Sequence, residues 1–145
     1  MIANKLQSYG DIHLKEINLT TKQWLFLAVL EKDFEDKNSY PSIGEIAYRI
    51  GTSHQNAKQI AAKLNEKGFI DFIRDKKDRR ILRIKSVEES KELWEKRSEK
   101  DDIELKNLFI DFKESELSEF VNFLMKFYKN ILKRIDYLDI RRGDK

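Results

Sequence analysis

Two short helical patterns near the middle of the chain are separated by a single turn, and this spacing constrains the fold more than any other feature. Ser42 with Glu45 three residues later predicts a capping box at the start of the first helix. Gly51 ends that helix, because the left-handed backbone of many helix ends favours glycine. Thr52 predicts a second cap directly afterwards, so the two helices must cross steeply as a helix-turn-helix.

A charged hairpin follows the second helix. Gly68 closes that helix, whose apolar residues recur at helical spacing from 57 to 64. The segments 69–74 and 81–85 are rich in β-formers, and the hairpin 75–80 joins them. A helix-turn-helix followed by such a hairpin is a winged helix. The predicted fold class is therefore mainly α with a small β-hairpin wing: a winged helix-turn-helix plus a helical dimerisation region.

Basic residues are concentrated on this segment. The chain of 145 residues has 29 Lys and Arg against 26 Asp and Glu, a net charge of only +3. Residues 53–85 alone hold ten basic and four acidic residues. An excess of positive charge on a helix-turn-helix favours double-stranded DNA as the partner. A merely solvated basic surface is the alternative.

Composition excludes several other classes of protein. There is no cysteine and there are only two histidines, which rules out disulfides and thiolate metal sites. We find no Gly-rich phosphate loop and no paired metal-ligand motif, so we expect no enzyme, no metal and no cofactor. No stretch approaches the roughly 20 apolar residues of a membrane span, and the first residues do not resemble a signal peptide. We therefore expect a cytoplasmic protein without a membrane partner.

The second helix presents a polar face opposite its apolar one. Glutamine and asparagine can read adenine edges in the major groove, whereas lysine suits phosphates. The predicted DNA contacts of this helix are Thr52, Gln55, Asn56, Lys58, Gln59 and Lys63. The alternative is that these residues form an ordinary polar surface.

Several short motifs resemble those of MarR-type transcription regulators. They are the segments 19–24, 43–47, 51–53, 64–70 and 78–80, in the family's order and spacing. The resemblance covers about residues 19–86. It implies a homodimeric winged-helix DNA-binding protein, usually a repressor and often released by a small-molecule effector.

The resemblance also assigns roles in the hairpin. Arg80 matches the arginine of the family's Asp-x-Arg motif and would enter a narrow A·T-rich minor groove. Asp78 repels phosphate, so its expected role is to hold Arg80 by an ion pair. Lys76, Lys77 and Arg79 are expected to contact flanking phosphates. A hairpin that only improves solubility is the alternative.

The remaining elements are read from caps and spacing. We expect a short helix over residues 11–17, because Gly10 interrupts any earlier one, and a helix over 19–34 capped by Thr20 or Thr21. A polar loop over 35–39 and a short edge strand at 40–41 come next. Ser86 is expected to cap a long helix over 87–111.

The last helix carries a heptad seam. Apolar residues recur at alternating spacings of four and three, and further phenylalanines widen the stripe. The predicted dimerisation residues are Leu117, Phe120, Val121, Leu124, Phe127, Tyr128, Ile131, Ile135 and Leu138. The simplest cover is the same region of a second copy, although packing within one chain or on a membrane surface is also possible.

These readings divide the chain by function. Residues 1–18 would form a short N-terminal dimerisation segment, 19–85 the DNA-binding lobe and 86–145 the dimerisation helices. The first helix is shorter than is usual in the family, and the last runs further. Trp24, Tyr48 and Trp94 are interpreted as core residues rather than as the lining of an effector pocket. A winged helix used in protein assembly, or in plasmid replication or partition, is the alternative function.

Overall fold

The computed structural model describes residues 1–34 and 40–143, with side chains as far as Leu138. In chain order the elements are α1 (Ile2–His13), a single 3-10 turn (Lys15–Ile17), α2 (Thr21–Asp33), α3 (Ile43–Arg49), α4 (His54–Glu66), β1 (Ile70–Arg74), β2 (Leu82–Ser86), α5 (Glu88–Asn107) and α6 (Glu114–Gly143). The strands pair antiparallel, with Phe72 opposite Ile84. The predicted class, mainly α with a small hairpin, is confirmed. The polar loop predicted over 35–39 lies outside the described residues.

The chain forms two compact units, Met1–Arg97 and Ser98–Lys145, whose boundary lies within α5. The first unit contains the helix-turn-helix and the hairpin. The predicted boundaries after residues 18 and 85 separate functions rather than packing units, and they remain predictions.

The core of the first unit is made by one apolar face from each of its central elements. The largest fully buried aliphatic and aromatic side chains are Phe26 of α2, Ile46 of α3, Leu64 of α4, Ile70 of β1 and Ile84 of β2. Within α4, the buried residues recur at the helical spacing expected from the sequence, at 57, 60, 61 and 64. The helix-turn-helix and the hairpin therefore share one hydrophobic core.

Tyr48 was wrongly interpreted as core, because it is 78% exposed. In a helix of 3.6 residues per turn, Tyr48 lies nearly opposite the face that buries Ile43 and Ile46. Trp24 is half-buried, and its ring stacks on that of Trp94 with centroids 5.2 Å apart.

The turn between α3 and α4 is formed as predicted, with one difference in the cap. Ser42 and Glu45 make the reciprocal capping box, and Gly51 adopts a φ of 66°. Thr52, however, is not the cap of α4. Ser53 is, and its hydroxyl accepts from the backbone N–H of Asn56 at 3.2 Å.

The N-terminal helix begins nine residues earlier than expected, since α1 starts at Ile2 and runs through Gly10. Gly10 does not break the helix but allows a close approach. A Cβ at this position would lie 2.4 Å from the hydroxyl oxygen of Thr21. That hydroxyl donates to the backbone carbonyl of Gln7 at 2.9 Å. The prediction that Gly10 interrupts the helix was therefore wrong, and packing against α2 is the reason.

Two further local predictions need correction. The edge strand expected at 40–41 is reduced to an isolated bridge between Ser42 and Arg83, and the carbonyl of the buried Pro41 accepts from the N–H of Ile84 at 2.8 Å. Ser86 ends β2 rather than capping α5, and its hydroxyl donates to the carboxylate of Glu31. Its position in the strand directs this hydroxyl to another element.

The second unit contains the end of α5 and the whole of α6. Phe109, Phe112 and Phe120 form a cluster whose ring centroids are 5.7 to 6.2 Å apart. Among its described side chains, none is buried. Helix α6 spans 30 residues, and most of the side chains of its predicted seam are more than a third exposed.

Candidate DNA-binding surface

Helix α4 separates an apolar face from a polar one. Ala57, Ile60, Ala61 and Leu64 are buried against the core. The predicted contact residues Gln55, Lys58, Gln59 and Lys63 are exposed on the remaining surface. Ala62 is exposed among them and leaves room for a close approach by a flat ligand edge. The helix is thus held by one face and offers amide and ammonium donors on the other.

Two of the predicted contacts bind each other. The side-chain amide of Asn56 donates to the hydroxyl oxygen of Thr52 at 2.7 Å, and both residues are half-buried. This bond leaves the amide oxygen of Asn56 and one N–H available to a ligand. It also ties the turn to the first turn of α4, which fixes the start of the helix.

The hairpin is organised around Asp75. Its carboxylate accepts from the backbone N–H groups of Lys77 and Asp78, both at 2.8 Å. With the side chain of Arg83 these bonds lower the pKa of Asp75 to about 2, the N–H of Asp78 contributing most. By accepting these bonds, the carboxylate fixes the backbone of the hairpin, which carries four cationic residues.

The expected ion pair between Asp78 and Arg80 is present. The guanidinium donates from Nε and Nη2 to the two carboxylate oxygens, each at 3.1 Å. The backbone N–H of Arg80 donates to the same carboxylate at 3.0 Å. These bonds, the side-chain one first, lower the pKa of Asp78. Arg80 is therefore preoriented at the hairpin although its side chain is 91% exposed.

The other cations of the hairpin are exposed as well. They are Lys76, Lys77 and Arg79. The carbonyl of Arg79 accepts from Nη1 of Arg74 at 2.8 Å, so a β1 side chain supports the far side of the turn. The hairpin thus presents a cluster of positive charge on an ordered loop.

Sequence reasoning counted Arg83 only as part of the basic excess. In the structure its guanidinium contacts Asp75 at 2.8 Å and Glu45 at 3.1 Å, and it donates to the carbonyl of Tyr40 at 3.0 Å. A strand residue with one cationic side chain carries no local signal of these partners, since Glu45 lies 38 positions earlier.

Other kinds of site are not supported by the part of the chain that the structure describes. Within residues 1–34 and 40–143, no group of three His, Cys, Asp or Glu side chains is placed to hold a metal ion. Across the same residues, no helix is long and apolar enough to cross a membrane.

Comparison with known proteins agrees with this geometry. Residues 17–81 match the model described as MarR family. The chain is 24% identical over 135 residues to the transcriptional activatory protein BadR of Rhodopseudomonas palustris, covering 92% of this chain and 75% of that protein.

Solved structures of similar fold extend over nearly the whole chain. The transcriptional regulator SlyA superposes with a TM-score of 0.81 at 25% identity, covering 95% of this chain and 94% of that one. The S. aureus MepR–DNA complex gives 0.79 at 19% identity, over 90% and 93%. These matches confirm the resemblance inferred from the motifs and the winged-helix fold. The similar proteins are transcription regulators, in agreement with the prediction that the chain is not an enzyme.

Proposed function

We propose that this chain is a transcription regulator of the MarR family and that it binds a pseudo-palindromic operator as a homodimer. The observation that carries the proposal is the hairpin in which Asp78 holds Arg80 while the side chain stays exposed. An ordered, exposed guanidinium beside a helix-turn-helix suits a groove of duplex DNA. Two proteins of similar fold, MepR and FabT, are described as complexes with DNA.

Helix α4 is proposed to supply the base contacts. Gln55 and Gln59 lie on its exposed face, where their amides can pair with adenine edges in the major groove. Asn56 would contribute its free amide positions, with Thr52 holding it in place. Lys58 and Lys63 would contact phosphates and set the register of the helix.

The hairpin is proposed to reach the neighbouring minor groove. Arg80 would enter it, where a narrow A·T-rich groove concentrates negative potential. Lys76, Lys77 and Arg79 would bind the phosphates on either side. Asp78 serves this arrangement only indirectly, since it orients Arg80 and is itself repelled by the backbone of DNA.

A homodimer is supported by the exposed seam of α6. Phe127 is 64% exposed, Val121 55% and Leu124 47%, which is unfavourable for side chains of this size in water. The proposed interface consists of Leu117, Phe120, Val121, Leu124, Phe127, Tyr128, Ile131, Ile135 and Leu138. A second copy would supply an equal seam. In the proposed dimer the two α4 helices would occupy successive major grooves about 34–36 Å apart, one turn of B-form DNA.

Regulation is proposed to depend on the distance between the two DNA-binding lobes of the dimer. Only a state that matches both half-sites uses both α4 helices, so a small-molecule effector that changes their distance would release the operator. Repression is the outcome that the family resemblance favours. The similar protein BadR is described as a transcriptional activatory protein, so activation is the alternative outcome.

The decisive experiment is selection of a duplex from a randomised pool of 30-base-pair DNA by the full-length protein. Enrichment of an inverted repeat would support the proposal. Arg80→Ala should then weaken binding to that duplex about tenfold and lower the salt dependence by about one counterion, because one cation leaves the interface.

Lys22→Ala is the matched control, since Lys22 is an exposed cation of the same unit outside the proposed surface. It should leave both quantities unchanged. A protein that enriches no duplex at low ionic strength would contradict the proposal and favour a role in protein assembly. Enrichment of a single repeat without inverted symmetry would contradict a pseudo-palindromic operator and favour the alternative role in plasmid replication or partition.

A further inference from the structure

We propose that Arg83 is a positioning residue that fixes the hairpin relative to the start of α3 and thereby aims Arg80. The proposal rests on the proposed DNA-binding function. It is carried by the geometry of a single guanidinium group that joins two elements of the first unit. Arg83 is not one of the residues expected to touch DNA.

The side chain of Arg83 contacts the hairpin on one side and the start of α3 on the other. Nε donates to Oδ2 of Asp75 at 2.8 Å on the hairpin side. Nη1 donates to Oε2 of Glu45 at 3.1 Å and to the carbonyl of Tyr40 at 3.0 Å on the α3 side. Only 23% of the side chain is exposed. Arginine suits this role because its donors point in fixed directions within one plane.

The charge of Arg83 is not available to attract phosphate. Two carboxylates lie within 3.1 Å of its guanidinium, one on each side. These two carboxylates therefore neutralise the positive charge of Arg83 at the surface, whereas the lysines of the hairpin are exposed. An effect of Arg83 on DNA binding must then come from where it holds the loop.

Both partners of Arg83 are fixed in turn. Glu45 belongs to the capping box, where its carboxylate accepts from the N–H of Ser42 at 2.7 Å. Asp75 binds the backbone N–H groups of Lys77 and Asp78. One end of the bridge is thus anchored in the first turn of α3, and the other in the backbone of the loop.

The bridge continues to the hairpin arginine. Asp78, whose N–H is held by Asp75, binds the guanidinium of Arg80 through both oxygens. The direction of Arg80 therefore depends on Arg83 through Asp75 and Asp78. Loss of Arg83 removes a side chain that ties this loop to α3 by two ion pairs.

The first test is a double-mutant cycle on the selected duplex. Arg83→Gln should weaken binding about tenfold in the natural sequence, yet have almost no effect when Arg80→Ala is already present. Arg83→Lys, which keeps the charge but not the planar donors, should lie between the two. Lys85→Gln removes an exposed charge from the same strand, and any loss of affinity that it causes should be the same with and without Arg80→Ala.

The cycle separates positioning from general structural damage. An equal loss of affinity with and without Arg80 would overturn the proposal, as would unchanged binding in Arg83→Gln. Asp75→Asn removes the same ion pair from the hairpin side and is measured in parallel. If Arg83→Gln fails to fold by circular dichroism, Asp75→Asn decides by the same cycle with Arg80→Ala.

A second measurement does not involve DNA. Hydrogen exchange of the Lys77 and Asp78 amides should be several-fold faster in Arg83→Gln, because Asp75 loses its anchor. Unchanged exchange would overturn the positioning role even if binding falls. If the natural protein selects no duplex, the proposed function fails, while the exchange result still decides whether Arg83 orders the hairpin.

Discussion

The two compact units differ in how far their apolar side chains are buried. In Met1–Arg97, side chains such as Phe26, Leu64 and Ile84 are fully buried by one another. In Ser98–Lys145, Phe127 and Leu124 are 64% and 47% exposed along a seam of equally regular spacing. Periodicity therefore indicates that a face needs cover, but it does not say whether the cover comes from the same chain. The core of the first unit is covered within the chain, and we infer that the seam of the second requires a copy.

The largest effect is expected for Leu124→Glu, which tests whether the second unit requires a copy. A carboxylate in the centre of the proposed seam would be buried without a partner, which opposes dimerisation. We expect a monomer by light scattering and a loss of operator affinity of about a thousandfold, or ~4 kcal/mol. Asn122→Glu places the same charge on the exposed opposite side of α6 and should leave the dimer intact. A dimeric Leu124→Glu protein would place the interface elsewhere.

Leu64→Ala tests whether the core of the first unit is buried within a single chain. The side chain is fully buried, so its truncation leaves a cavity and should lower the free energy of unfolding by about 2–5 kcal/mol. The loss is expected to be the same at every protein concentration, since the core lies within one chain. Denaturant unfolding at two concentrations measures this. A loss that shrinks as the protein is concentrated would show that the core also depends on the partner.

The smallest effect concerns the pKa of Asp75. The N–H of Asp78, the side chain of Arg83 and the N–H of Lys77 hold this pKa at about 2 instead of 3.8. Because the folded pKa is lowered, the carboxylate stabilises the hairpin above pH 3.8 and this contribution is lost as pH falls towards 2. NMR titration of the carboxyl carbon should show a midpoint near 2.

Arg83→Gln should raise that midpoint but leave it below 3.8, because the two backbone donors remain. A midpoint at the ordinary value in the natural protein would mean that these bonds do not form in solution. In that case the hairpin would lack its fixed conformation in solution, unlike the buried core of the same unit.

Local signals in the sequence predicted the elements that depend on neighbours along the chain. The capping box of Ser42, the turn at Gly51 and the two strands were found from residues within a few positions. The cap of α4 was misplaced by one residue, because Thr52 and Ser53 are chemically alike. In the structure Ser53 caps the helix, and Thr52 accepts from the side-chain amide of Asn56.

Contacts between distant residues could not be predicted in the same way. Gly10 looks like a helix breaker until Thr21 is placed against it. The bridge of Arg83 to Glu45 spans 38 positions and depends on how β2 meets α3. The candidate DNA contacts follow from one polar helix face and one hairpin. Of the side chains that support them, Asp78 is predicted from the sequence, whereas the roles of Asp75 and Arg83 depend on the fold.

The contact between Gly10 and Thr21 also bears on how this sequence can diverge. On the present backbone, a Cβ at position 10 would lie 2.4 Å from the threonine oxygen, so any replacement of Gly10 forces α1 or the side chain of Thr21 to shift. Descendants that lose the glycine should therefore exchange the threonine for alanine or glycine in the same lineage. Paired changes at positions 10 and 21 would be the evolutionary record of this close approach.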